Sequence, residues 1–307
     1  MTQKSATPHV VTRFAPSPTG RLHVGHGYSA LLAHDFARAV NGRFLLRIED
    51  TDMARCRPEF TDALHEDLQW LGITWDDYMI QSQRLATYEA ALGALKALDM
   101  LYPCFCSRAD IAREAAASLH APHGADGPLY PGTCRTLSAD ERAARIIRGE
   151  PHSWRLDAGA ALARSGPLFW HDEAAGEIAV DPDALGDLIL KGRDRPASYH
   201  LAVVVDDAAQ GVTDVVRGRD VMPSTHAHRM LQALLGLPVP LYHHHALVVD
   251  DGGKRLAKRA SGLALAELRA LGWNGAALAA ELRAGRFPVG TGLEGAYMDE
   301  DRSQSHG

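Results

Sequence analysis

The stretch TRFAPSPTGRLHVGH, residues 12–26, decides how the rest of the chain is read. A β-like run, TRFA, breaks at Pro16, Pro18 and Gly20, and helical periodicity opens behind His23, Val24, Gly25 and His26. Tyr28, Leu31, Leu32, Phe36 and Val40 carry that periodicity, and GRFLLRIED (42–50) follows as a second strand ending in acid. Strand, helix and strand at this spacing form a βαβ unit, so the expected class is α/β with a parallel sheet. A helix that opens at His23 offers unpaired N–H groups and the positive end of its dipole to an anion. Gly25 leaves room for a ligand to approach the backbone, and His23 and His26 can each donate to phosphate oxygens. The same residues can simply cap the helix and pack, which is the commoner fate of an isolated H-x-G-H.

The 307 residues suffice for a large core, and 46% hydrophobic with 23% charged residues is ordinary for a soluble globular chain. No apolar run approaches the ~18 residues of a membrane span, and MTQKSATPHV lacks the apolar centre of a secretory signal. A cytoplasmic protein without membrane contact is the expectation. The net charge of −6 gives no global basic field, so any nucleic-acid contact needs a local basic face. Four cysteines are too few for a disulfide scaffold. Three of them, Cys104, Cys106 and Cys134, cluster as CFC and YPGTC, which in such a chain suggests metal. Zn²⁺ takes four ligands, commonly Cys and His. Tyr130, His120 and His123 are the candidates for the fourth, and Cys56 reads as a lone thiol.

Further along, Phe60, Leu64, Leu68 and Leu71 mark one amphipathic helix and Leu85, Tyr88, Leu92 and Leu95 another. The pattern loosens from Cys104 to Leu190, as expected of an insertion. SYHLAVVVDDA (198–208) reads as a strand buried on both faces, VTDVVRG as another, Val221–Leu235 as a helix and HHALVVDD as a strand. Alternation along that strand keeps His243, His244 and His245 from converging on one metal. GGKRLAKRA (252–260) holds Lys254, Arg255, Lys258 and Arg259; alone it reads as a solvated charged turn. Two short helices follow, then a Gly-, Asp- and Ser-rich tail expected to be disordered.

The HxGH turn after the first strand and the late K-x-L-x-K loop together resemble the paired signatures of class I aminoacyl-tRNA synthetases. RFAPSPTGRLHVGH with FLLRIEDTD, and YHLAVVVDDAAQGVTDVVRGRD (199–220), are similar to the glutamyl branch of that family. The resemblance implies a Rossmann-like parallel-sheet catalytic domain with an inserted zinc-containing subdomain. Its parts would be a first half at 8–103, the insertion at 104–190, a second half with the lysine loop at 191–262, a short helical part at 263–284 and a disordered tail at 285–307. It implies ATP with Mg²⁺ held by His23, Gly25, His26 and Lys258, with Lys258, His23 and His26 catalytic. L-glutamate would be held by Arg13, Ser17, Glu49, Tyr199 and Arg217. Ala257 departs from the family pattern, which commonly has serine there.

The CxC…YxGxC pattern is similar to the zinc site of the glutamyl-queuosine tRNA(Asp) synthetases, in which the tyrosine is the fourth ligand. By that resemblance Cys104, Cys106, Tyr130 and Cys134 hold one structural Zn²⁺. Little sequence follows Arg259, which leaves no room for the helical anticodon-binding region of a full glutamyl-tRNA synthetase. The expected activity is therefore tRNA-independent formation of glutamyl-adenylate, then transfer of glutamate to queuosine-containing tRNA(Asp), by a monomer. The alternatives are a truncated synthetase charging the 3′ end of tRNA(Glu), or a non-catalytic zinc- or tRNA-binding module. The joint presence of Arg13, Glu49, Arg217 and Lys258 argues against the module.

Overall fold

The computed structural model describes residues 9–107, 109–111, 123–124, 127–128, 130–181, 186–254, 256 and 264–294. These fall into two compact units, each assembled from separate stretches of chain. The first comprises residues up to Gln81, Val212–Asp220 and the chain from Pro240 on; the second comprises Ser82–Gly211 and Val221–Val239.

In the first unit, β1 (Val11–Phe14), β2 (Arg43–Ile48) and β3 (Asp77–Ile80) run parallel, with Val11 opposite Arg43 and Leu45 opposite Asp77. The other flank of β1 meets the strand Asp214–Gly218. There Thr213 N–H donates to the Val11 carbonyl (3.0 Å), and Val11 N–H donates to Thr213 Oγ1 (2.8 Å). Asp214–Gly218 pairs parallel with Leu241–His245. The expected parallel α/β sheet is thus present. α1 (Val24–Ala39) returns the chain from β1 to β2 and lies close on one sheet face, where Thr12 Oγ1 donates to the Ala33 carbonyl (2.7 Å). Its buried residues are Val24, Gly27, Ala30, Leu31, Ala33, His34 and Ala37, among which glycine and three alanines permit the close approach, whereas Phe36 and Val40 are exposed.

α2 (Pro58–Trp70) opens with proline at its first turn, where the missing N–H costs nothing. It buries Leu64 and Leu68 in a core with Phe14, Phe44, Leu46, Ile48, Leu268, Leu278 and Leu282. The two expected short helices are Leu265–Ala270 and Gly275–Arg283. Gly275 is required where it stands: a Cβ there would lie 2.0 Å from the Trp70 carbonyl oxygen. The expectation of a disordered tail from residue 285 is corrected for its first part. Thr291–Leu293 pairs antiparallel with Val248–Asp250, so those backbone groups are satisfied by a strand partner. Residues 295–307 lie outside the described residues.

In the second unit, Ser153–Leu156 is the central strand of an antiparallel sheet between β4 (Leu101–Cys104) and Ile189–Lys191. The unit begins at Ser82 rather than at residue 104. α3 (Leu85–Ala97) contributes Tyr88, Leu92 and Leu95 to a core shared with Leu156, Leu190, Leu201, Val204, Met230 and Leu231. SYHLAVVVDDA, expected as a strand, is the helix Tyr199–Ala209. Ser198 Oγ accepts from Leu201 N–H as its N-cap, and the run Leu201–Asp207 is buried on every side. An all-round buried helix has no amphipathic stripe to separate it from a buried strand. Asp206 in that helix is fully buried and accepts from Arg84 Nε and Tyr88 Oη, each at 2.7 Å. Among the described residues no helix is long and apolar enough to cross a membrane.

One buried carboxyl gives the first unit a pH dependence. Asp67 on α2 is fully buried, with Arg269 Nη1 at 3.3 Å. Burial pushes its pKa up to about 6, against the pull of Arg269 and Arg21. The unfolded carboxyl titrates near 4, so the folded chain binds the extra proton and this contribution to stability is lost as pH rises from about 4 to about 6. Asp67→Asn should flatten the stability–pH curve across that window, removing on the order of 2 kcal/mol of slope; urea midpoints from pH 4 to 7 measure it, and an unchanged curve contradicts the assignment.

Candidate functional site

Strand alternation gives the sheet of the first unit two chemically different faces. Thr12, Phe14, Phe44, Leu46, Ile48 and Val216 turn toward α1 and the core. The intervening residues Arg13, Arg47 and Arg217 turn the other way, and all three are buried. Arg47 Nε lies 3.6 Å from Glu49 Oε1. The Pro16 carbonyl accepts Glu49 N–H (3.0 Å) and the Pro18 carbonyl accepts Arg57 N–H (3.1 Å), so the loop carrying Ser17 folds over the end of β2. Arg217 Nε donates to His244 Nε2 (3.0 Å), and its guanidinium carbon stands 5.3 Å from the Tyr242 ring centre. Three guanidiniums against one carboxylate suit an anionic guest that also carries a cationic group, because the planar fork pairs two carboxylate oxygens at once.

At the start of α1, His23 is the N-cap residue, and its N–H donates to His26 Nδ1 (3.2 Å). The two rings lie 3.7 Å apart between centroids. A Cβ on Gly25 would come 3.1 Å from His23 Cε1, so glycine here is what lets the ring sit against the helix end. The first turn of α1 has no acidic residue, which leaves the positive end of its dipole uncompensated for an anion.

The three consecutive histidines separate as alternation requires. His243 Nε2 pairs with Asp214 Oδ1 (2.9 Å), and His245 Nε2 pairs with Ser29 Oγ (3.0 Å). Both lie on the α1 side, near Phe36 and Tyr28 respectively, while His244 lies with Arg217. Burial holds the His245 pKa down. Burial raises the Asp214 carboxyl, but hydrogen bonds to His243 and Thr213 outweigh it and its pKa falls.

The segment GGKRLAKR is anchored at both of its described flanks. Lys254 N–H donates to Asp250 Oδ1 (2.8 Å), and Ala264 forms a bridge with His23. Lys258, the expected catalytic lysine, and Ala257 lie outside the described residues. Arg13, Ser17, Glu49 and Arg217 all belong to the first unit. Tyr199 belongs to the second, where it opens its helix beside the rings of His200 and His228, each at 5.4 Å.

Three of the four cysteines come together in space as a group that could hold a metal ion. The sulfurs of Cys104, Cys106 and Cys134 all lie within 4.8 Å of one another, while Cys56 stays apart with its thiol near the Glu49 carbonyl. Tyr130 Oη accepts Cys134 N–H (2.7 Å) and stands 3.7 Å from Cys106 Sγ. Burial pushes the Cys106 thiol up to about 12 and raises the Tyr130 phenol as well. Of the two histidines considered for the fourth position, His120 and the side chain of His123 lie outside the described residues.

Sequence reasoning missed Arg47. Its signal was present: it shares the strand parity of the buried Leu45, opposite to Leu46 and Ile48, and a cation at such a position needs an anionic partner. The Arg217–His244 pair gives a direct test of the two-faced sheet. Arg217→Ala should shift the ring ¹⁵N signals of His244 while leaving those of His243 and His245 in place; equal movement of all three contradicts the segregation.

Comparison with known proteins matches this architecture. Residues 9–293 fit the family model described as tRNA synthetases class I (E and Q), catalytic domain. The chain is 50% identical over 270 residues to a glutamyl-Q tRNA(Asp) synthetase of Rhodobacter capsulatus, covering 86% of this chain and 96% of that protein. It is 44% identical over 271 residues to the protein of that name from Symbiobacterium thermophilum, covering 85% and 81%. The crystal structure of glutamate-tRNA synthetase from Elizabethkingia anophelis superposes with a TM-score of 0.70 at 27% identity, covering 86% of this chain and 54% of that one. The chain thus spans about half the length of that solved synthetase. With its parallel α/β sheet, HVGH helix start and guanidinium face, the chain belongs to the class I tRNA synthetase family (E and Q), in the glutamyl-Q tRNA(Asp) synthetase branch.

Proposed function

We propose that this ligase activates L-glutamate with MgATP in the absence of tRNA and transfers the glutamyl group to queuosine at the wobble position of tRNA(Asp). The observation that carries the reading is the buried set Arg13, Arg47 and Arg217 on one sheet face, with the half-buried Glu49 just past the end of β2 beside Arg47, in the unit that also holds the HVGH helix start. Arg13 and Arg217 hold the side-chain carboxylate of glutamate. Glu49 accepts from its ammonium group, and Ser17 adds a hydrogen bond. The α-carboxylate attacks the α-phosphorus of ATP and pyrophosphate departs. Catalysis here is positioning and charge stabilisation rather than covalent help. His23, Gly25 and His26 cradle the triphosphate at the helix N-terminus, and Lys258 neutralises charge that develops on the phosphates.

The residues of the cysteine centre fit Zn²⁺: three thiols and a phenol oxygen converge, and four protein ligands leave no open position. Cys104, Cys106, Tyr130 and Cys134 hold it, and when bound it supplies a crosslink between β4 and the Tyr130–Cys134 turn. No catalytic step passes through it.

Glutamate-dependent ATP–pyrophosphate exchange without tRNA tests the first half, and absence of exchange overturns it. Labelled glutamate should then pass to tRNA(Asp) carrying queuosine and not to tRNA(Asp) lacking it; charging of tRNA(Glu) would favour the truncated-synthetase reading instead. Arg217→Ala should raise the glutamate KM roughly 100-fold, with the ATP KM nearly unchanged. Lys258→Ala should lower the exchange kcat by roughly 100-fold or more with glutamate KM preserved. Steady-state exchange kinetics read both, and a normal glutamate KM in Arg217→Ala removes that residue from the pocket.

A further inference from the structure

The strand Ser153–Leu156 pairs with β4 so that Ser153 lies opposite Cys104 and Arg155 opposite Tyr102. This register carries a guanidinium to the cysteine centre. Arg155 is buried, and its Cζ lies 3.9 Å from the centre of the Tyr130 ring. Its Nη1 donates to the Asp187 main-chain carbonyl (2.6 Å), while its buried Nε has no hydrogen-bond partner among the described residues. Asp187 is itself fixed from three directions: its carboxylate accepts from Tyr102 Oη (2.5 Å), Arg135 Nη1 (3.0 Å) and Ala158 N–H (3.1 Å). A buried cation held this rigidly against one aromatic face is costly unless negative charge stands nearby.

The cysteine centre supplies that charge. Three thiolates and a phenolate around one divalent zinc sum to an excess of negative charge in a buried place. Other arginines touch the surroundings: Arg193 Nη2 donates to the Phe105 and Cys106 carbonyls (2.7 and 3.1 Å), and Arg145 stacks on Phe105 at 4.1 Å. Arg155 alone among these lies against a ligand ring. We propose that Arg155 is the positioning residue of the fourth zinc ligand. Its guanidinium, locked by Asp187, clamps the face of Tyr130 so that the phenol oxygen faces the three sulfurs, and it offsets the charge of the filled centre. Cation–ring contact supplies the attraction, and outer contacts of this kind are worth roughly 10- to 100-fold in metal affinity.

This inference rests on the zinc reading above, and the experiment separates the two. Zinc affinity of the full chain is measured by competition with a chromophoric chelator for wild type, Tyr130→Phe, Arg155→Met, Arg155→Lys and the double variant Tyr130→Phe/Arg155→Met. Circular dichroism melts establish which variants are folded. Wild type should bind one zinc, and Tyr130→Phe and Arg155→Met should each bind it roughly 10- to 100-fold more weakly. The double variant should lose clearly less than the two single losses combined, because the clamping of the ring has no oxygen left to position once Tyr130 is replaced. Arg155→Lys keeps the charge but loses the planar stack, and should fall between; it carries the comparison if the methionine variant does not fold. Cobalt substituted into Arg155→Lys should show an altered visible ligand-field spectrum relative to wild type. A wild type that binds no metal, or a Tyr130→Phe affinity equal to wild type, defeats the zinc reading and this proposal with it. Weakening by Tyr130→Phe with unchanged affinity in the Arg155 variants overturns this proposal alone, as does an additive loss in the double variant.

Discussion

Everything in the first unit depends on strand alternation over a parallel sheet whose two faces do opposite work. One face is sealed by α1 so closely that Thr12 donates into the helix backbone, and Gly27, Ala30, Ala33 and Ala37 are among the residues buried there. Arg13, Arg47 and Arg217 are carried, buried, to the opposite side. A one-residue slip in any of these strands would exchange the two faces and force arginines into the core packed under α1.

The same logic explains the histidines. In sequence His243, His244 and His245 look like a metal tract, yet the sheet deals them to different neighbours: a carboxylate, an arginine and a serine. The chain builds its metal candidate elsewhere, from two cysteines at the end of β4 and a third in a short turn behind Gly132, whose φ of 87° only glycine adopts cheaply. The guanidinium face and the cysteine centre thus belong to separate units, each with its own core.

Much of this was legible in the sequence. The βαβ reading held because Pro16, Pro18 and Gly20 punctuate a strand just before helical spacing begins, and turn residues act through local backbone geometry that needs no tertiary knowledge. Alternation was likewise local, so the separation of the histidines could be deduced. Other features were not local. Tyr199–Ala209 was read as a strand because Val203, Val204 and Val205 favour strands and every side of the helix is buried, a fact fixed only by α3 and Ser224–Leu235 packing on it. Phe36 looks like core by its size and spacing, yet it is exposed, because a close helix–sheet contact favours small residues on the inner face. The burial of Arg47 is not legible locally, because burial of a cation depends on partners that no short window contains. Thr291–Leu293 was read as disorder from composition, since its stability comes from Val248–Asp250.

The interleaving of the two units along the chain has a consequence for how the protein comes into being. The chain passes between them at Gln81/Ser82, Gly211/Val212, Asp220/Val221 and Val239/Pro240. β1 finds its second neighbour only in residues 213–218, and that neighbour's own partner comes later still, at Leu241–His245. During synthesis the N-terminal βαβ unit must therefore wait, with one edge of β1 unpaired, until most of the chain has emerged. The second unit has the larger part of its sequence in the continuous stretch Ser82–Gly211 and can begin to gather first. Such long-range closure makes folding slow and leaves an open strand edge exposed meanwhile. The arginine-bearing face is thus among the last parts of the molecule to exist, and the nascent chain's demand for chaperones should centre on its opening residues.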